Sequence, residues 1–260
     1  MRGKGESAGV TGGVREVKSA ARTVQLLEVL ANSSSEHVRL RELAEQIDVP
    51  RSSLYALLQT LVASGWVRTD PSGSLYSIGI RALLTGTKYL DSDTRLGLAA
   101  PVLDSLAEEL GETIHFARLD GPDIVYLATR ESRHYLRPFS RVGRRLPAHA
   151  AALGKALLAE QPPEYLEREL PVKLPVFTPR SVSDHTALRK ELDAVRERGY
   201  AIDDEEHIEG LVCFGFAVRR STPAEDAISC SVPTVRLTRE HREHILRAMS
   251  RARDELERRW

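Results

Sequence analysis

Three stretches of the sequence hold residue types that could do chemistry. The first is PRSSLYALLQTLVASG, residues 50–65. Drawn as a helix, it puts Arg51, Ser52, Ser53, Tyr55, Ala56 and Gln59 on one side and Leu54, Leu57, Leu58, Leu61 and Val62 on the other. Hydroxyls, an amide, a phenol and a cation crowded toward a helix N-terminus suit phosphates and base edges in a DNA major groove. An ordinary amphipathic surface helix shows the same pattern, so the flanking elements must decide. The second is Ser229-Cys230-Ser231, where period two puts both hydroxyls on one strand face. The third is HAAALGKALLA, residues 149–159, a loop running into an Ala-rich helix. Its Gly-Lys pair is no phosphate loop: His149 stands where the upstream glycine belongs, and Ala156 follows Lys155 in place of Ser or Thr. His149, His207, Asp203 and Cys213 are metal-ligand types without HxxxH or CxxC spacing, so neither a metal nor a cofactor is expected. No GxSxG elbow marks a nucleophile. The run of residues 203–207, DDEEH, reads most simply as a solvated loop, with Asp203 as its candidate exception.

The elements around residues 50–65 settle what that helix is for. Residues 17–31 repeat Ala20, Val24, Leu27 and Ala31 at helical spacing, and a Ser-rich break follows at 32–36. Residues 38–40 fit either a short strand or an approach to the next helix. Leu40, Leu43, Ala44 and Ile47 give a second short helix, and Asp48-Val49-Pro50 supplies the turn into the third, which Gly65 stops. Two β-prone runs, 66–69 and 75–78, flank the turn DPSGS and predict a hairpin. Helix, helix, turn, helix, hairpin is the order of a winged helix-turn-helix, with Arg68 and the wing tip reaching the sugar-phosphate backbone.

The rest of the chain reads as an α+β domain. Residues 81–90 continue as helix, 91–94 interrupt it, and Leu96, Ala99, Leu103, Leu106 and Leu110 line a further helix. The period then shifts to two over 113–119 and 124–129. The stretch RPFSRVGRRLP, 137–147, carries four arginines and reads as a loop over a pocket or a subunit contact. Helices at 163–169 and 184–199, strands at 200–203, 211–218 and 227–232, and an amphipathic tail from 238 complete an antiparallel sheet with helices at its beginning, middle and end. The expected plan is a disordered Gly-rich leader (1–14), a winged helix-turn-helix (15–79), a linker helix (80–94) and an effector-binding domain (95–260).

The bulk numbers agree without deciding. Net charge is zero, yet residues 1–90 hold 11 basic against 8 acidic side chains and the remainder 26 against 29. That asymmetry leans the N-terminal part toward DNA. Two cysteines, Cys213 and Cys230, make no disulfide scaffold, and no apolar run spans a membrane. A reduced, cytoplasmic setting is expected.

The segments VKSAARTVQLLEVLA, LRELAEQIDVPRSSLYALLQTLVASGWV and LYSIGIRALLTG resemble the DNA-binding domain of the IclR family of bacterial transcription regulators. LPAHAAALGKALLA, RGYAIDDEEHIEGLVCFGFAV and AISCSVPTVRLT resemble its GAF-like effector domain. The resemblance implies a dimer on a pseudopalindromic operator, dimers pairing into tetramers, and repression as the commoner sign. It implies that backbone N–H groups of Ala152 and Leu153 meet a small organic acid, with Asp203, Cys213, Ser229 and Ser231 around it. N–H groups at a helix start suit a carboxylate. Leu153 is bulkier than the alanine of some members. Ala56 stands where members often carry arginine, which leaves base reading to Arg51, Ser52, Ser53, Tyr55 and Gln59. Arg41 replaces a small hydroxyl residue, so a favourable N-cap is expected to be missing there. Two competing functions stay open at this point: an enzyme that dimerises through the N-terminal helices, and a redox sensor using Cys213 and Cys230.

Overall fold

A computed structural model describes residues 16–33 and 35–259. The leader expected over 1–14 lies outside the described residues. Contacts divide the chain into one unit up to residue 89 and a second from residue 90 onward.

In the first unit, helices α1 (Lys18–Asn32), α2 (Leu40–Ile47) and α3 (Arg51–Ala63) pack with strands β1 (Val38–Arg39), β2 (Val67–Thr69) and β3 (Leu75–Ile78). The sheet order is β1-β3-β2, all antiparallel. Residue 38 therefore belongs to a strand, paired with Tyr76, and not to the approach of α2. Leu54, Leu58 and Leu61 of α3 are buried against Leu26, Leu43, Val67 and Tyr76. Asp48 takes the left-handed conformation (φ 54°) that ends α2 and turns the chain into α3. The cap position is corrected to Arg39, because α2 starts at Leu40, but the side-chain cap is missing as expected; the Arg39 N–H donates to the Glu42 carboxylate at 3.1 Å. Arg41 lies inside the helix and pairs with Glu45 one turn on.

The second unit is built on a sheet of order β6-β5-β4-β9-β8-β7. Between the units in sequence runs α4 (Ile80–Ser92), followed by α5 (Thr94–Leu110), whose N-cap Asp93 accepts from the N–H groups of Arg95 and Leu96. Then come β4 (Thr113–Asp120), β5 (Asp123–Arg130), β6 (Arg145–Pro147), α6 (Ala152–Glu160), α7 (Pro163–Glu169), α8 (His185–Arg198), β7 (Ala201–Asp204), β8 (Leu211–Val218), β9 (Asp226–Pro233) and α9 (Arg239–Arg259). The basic stretch 137–147 thus ends in an edge strand, where sequence gave only a loop.

Alternation along the central strands sorts the sheet into two unlike faces. Ile114, Phe116, Val212, Phe214, Phe216, Ile228, Cys230 and Val232 point into a core closed by α5 and α9. The other face carries Thr113, His115, Cys213, Gly215, Ala217, Ala227, Ser229 and Ser231, which are small or polar, beneath α6 and α8. Large residues fill one side; small ones leave room on the other.

Candidate functional site

On α3 the structure leaves Arg51, Ser52, Ser53, Tyr55, Ala56 and Gln59 exposed on the face opposite the buried leucines. Among the described residues, no side-chain hydrogen bond or ion pair occupies Arg51, Tyr55 or Gln59. The helix starts at Pro50 without a side-chain cap and without an acid in its first turn, so its positive end is free for an anion. The wing is held by Asp70, whose carboxylate accepts from Ser72, Ser74 and Leu75. Those bonds, from the Ser72 hydroxyl first, lower its pKa to about 2. Arg68 is less free than expected: its Nε donates to Ser77 Oγ at 2.9 Å and its guanidinium lies 3.7 Å from Glu36.

In the second unit Ala152, Leu153, Asp203, Cys213, Ser229 and Ser231 all line one pocket. Strands β4, β5, β6, β8 and β9 contribute to its wall through His115, Tyr126, Leu146, Cys213, Ser229 and Ser231, and β7 through Asp203. Register explains the grouping: Asp203 pairs with Cys213 and Cys213 with Ser231, while Ser229 pairs with His115. Cys213 Sγ and Ser231 Oγ meet at 3.1 Å.

Helix α6 forms the opposite wall. Its approach depends on two glycines. A Cβ on Gly215 would lie 2.4 Å from the Ala152 carbonyl carbon, and one on Gly154 would lie 2.2 Å from the Ala148 oxygen. Backbone therefore packs on backbone. Ala151, Ala152 and Leu153 are almost fully buried, yet no side chain caps α6 and no acid lies in its first turn. A buried helix start of this kind needs an acceptor, and a bound anion supplies one.

The electrostatics are those of a dry site. Asp203 accepts from the N–H groups of Glu206 (2.8 Å) and His207 (3.3 Å), but burial dominates and raises its pKa to about 7. His115 is stacked on Tyr126 at 4.4 Å, and its Nε2 lies 2.8 Å from Ser140 Oγ. Burial, then the charge of Arg144, lowers its pKa to about 3, which keeps the ring neutral. The buried thiol of Cys213 is held well above the usual range.

The sequence matches the IclR helix-turn-helix domain over residues 19–71 and the bacterial transcriptional regulator IclR C-terminal domain over residues 87–258. The chain belongs to the IclR family. Among its relatives, the transcriptional repressor IclR of Escherichia coli (strain K12) is 35% identical, the match covering 91% of this chain and 88% of that protein. The HTH-type transcriptional repressor AllR of Klebsiella pneumoniae is 33% identical over 87% and 82% of the two chains. The fold is shared with an IclR transcriptional regulator from Alicyclobacillus acidocaldarius (TM-score 0.81, 24% identity, 94% and 99% covered). A transcriptional regulator from Rhodococcus sp. RHA1 is also similar (TM-score 0.76, 26% identity, 94% and 98% covered).

As an IclR-family protein the chain is a DNA-binding transcription regulator and not an enzyme. Among the described residues, no helix is long and apolar enough to cross a membrane. The redox alternative meets a geometric obstacle: Cys213 faces the pocket while Cys230, one register position away on the adjacent strand, faces the α5/α9 core. Sequence reasoning missed His115, Tyr126, Ser140 and Arg144, which line the same IclR-family pocket. His115 had a signal, since it is a lone polar residue between Ile114 and Phe116 on an alternating strand. The solvated reading of residues 203–207 is corrected at Glu206, which is buried and bonded to Lys155; Asp203, the expected exception, is buried beside it.

Proposed function

We propose that this IclR-family regulator is a repressor whose operator affinity is set by a small organic acid in the pocket beneath α6. The observation that carries the reading is the buried, uncapped start of α6 set over the Ser229–Ser231 and Cys213 face. It offers N–H donors and hydroxyls to a carboxylate. Ala152, Leu153, Asp203, Cys213, Ser229 and Ser231 contact the acid in this reading. Arg51, Ser52, Ser53, Tyr55 and Gln59 contact DNA from α3, and Arg68 its backbone from the wing. Repression is the sign named for the relatives from E. coli and Klebsiella pneumoniae. The protein acts in the cytoplasm as a homodimer on a pseudopalindromic operator, or as a pair of such dimers. The acid changes DNA affinity only through its unequal affinity for the bound and free states.

The test is a gel-shift titration with DNA from upstream of its own and neighbouring genes, at two salt concentrations, with and without small acids. Site-selective, salt-sensitive binding that an acid weakens supports the reading. Binding with no site preference, or indifferent to every acid, sinks it.

A further inference from the structure

The pocket holds a cation that, among the described residues, no carboxylate pairs with. Arg144 lines it from the segment just before β6, at the edge opposite β7 and Asp203. Its backbone is fixed to β5: the Tyr126 N–H donates to the Arg144 carbonyl at 3.0 Å, and the Gly143 N–H to the Tyr126 carbonyl at 2.8 Å. Of the other arginines in 137–147, Arg137 pairs with Glu131 and Arg145 with Asp120 and Asp123, while Arg141 is exposed and does not line the pocket. Among the described residues, the half-buried Arg144 guanidinium meets only the Phe139 carbonyl oxygen, and no ion pair involves it. A second polar group waits in the same space: among the described residues His207 Nδ1 is buried without a hydrogen-bond partner, and its ring lines the pocket.

Resting on the proposed acid-binding role of this pocket, we infer that Arg144 is its specificity-determining residue and that the effector is a short dicarboxylic acid. One carboxylate takes the N–H groups at the start of α6 and the hydroxyls of Ser229 and Ser231. The other takes the planar fork of Arg144, which matches a carboxylate with two parallel hydrogen bonds. The two anion-seeking groups come from different elements, α6 and the β5–β6 edge, so one carboxylate does not serve both with equal geometry. The cavity is small, about 30 Å³, which disfavours a bulky ring. A monocarboxylate leaves the half-buried Arg144 without a counter-ion. A dicarboxylate supplies its counter-ion.

Isothermal titration of the full chain with malonate and succinate, against propionate and butyrate, tests the assignment. Wild type is expected to bind the diacid of each pair at least tenfold more tightly than its monoacid of equal carbon number. R144Q brings each pair to parity, and R144K, which keeps the charge and loses the fork, retains part of the preference. Ser231→Ala weakens both classes together. Equal binding of monoacids and diacids by wild type overturns the assignment, and so does a diacid preference that survives in R144Q with a wild-type unfolding midpoint. If R144Q does not fold, undiminished preference in R144K overturns the bidentate role. If no acid of either class binds wild type, the acid-pocket reading itself fails and takes this one with it.

Discussion

Lys155 and Glu206 form an ion pair almost entirely out of solvent, joining the second turn of α6 to the turn after β7. Glu191 of α8 lies 3.6 Å from the same ammonium. The Gly-Lys pair that superficially suggests phosphate binding is thus a structural tie behind the pocket. Breaking it strands a charge: Lys155→Met is expected to cost about 3–5 kcal/mol, because Glu206 stays buried without its partner. The double variant Lys155→Met/Glu206→Leu should recover most of that loss. Urea unfolding midpoints decide, and a single variant as stable as the double one counts against the tie.

Asp203 makes stability depend on pH in an unusual direction. Burial, assisted by the charge of Glu206, raises its pKa from the usual 3.8 to about 7. The unfolded chain therefore releases this proton at lower pH than the folded one. Between about pH 4 and 7 the unfolded state binds fewer protons, so stability falls as pH rises through that window, by an amount on the order of a few kcal/mol. Asp203→Asn keeps an oxygen for the Glu206 and His207 N–H groups and removes the ionisation. Its unfolding midpoint should vary less between pH 5 and 8 and exceed wild type at pH 8. A parallel pH profile for the two proteins contradicts the assignment.

The exposed face of α3 predicts separable losses on DNA. Arg51→Ala and Tyr55→Ala should each weaken operator binding by about 1–3 kcal/mol while leaving acid-induced thermal shifts intact. If Arg51 contacts phosphate, its loss also lowers the log–log salt slope by about 1. Fluorescence anisotropy at several salt concentrations reads both. Unchanged affinity in both variants removes α3 as the reading helix.

Gly215→Ala tests the close approach of α6. The added methyl has no room beside the Ala152 backbone, so the helix start must move. Overpacking of this kind typically costs about 1–3 kcal/mol. Acid affinity should fall with it, since the donors at Ala152 and Leu153 shift. A variant with wild-type stability and affinity shows that the contact is slack.

Much of this was legible before any coordinates. The α3 stripe, the hairpin around Asp70 and the alternation in 211–218 and 227–232 are local patterns, and local patterns follow from short-range sterics and burial. The pairing of Ser229 with Ser231 on one face was readable for the same reason. The family resemblance, and not spacing, brought Ala152, Asp203 and Cys213 into the same set. Strand order was out of reach, because β4 pairs with β9 across more than a hundred residues. That pairing sets His115 against Ser229. The Lys155–Glu206 tie also depends on tertiary packing that no window of sequence reports. Arg41 misled because the family position was taken for the helix start, whereas the backbone turns one residue earlier, at Leu40.

The absence of side chains between Gly215 and Ala152 has a mechanical consequence. A helix lying on a cushion of side chains can rock or slide; α6 has no cushion at this point, and Lys155 ties its next turn to the far edge of the sheet. The helix and the sheet beneath it behave as one stiff jaw. The opposing part is the segment before β6, held by hydrogen bonds such as Ser140 to His115, Gly143 to Tyr126 and Arg236 to Leu136. With the floor packed this closely, ligand entry is expected to move the cover more than the floor.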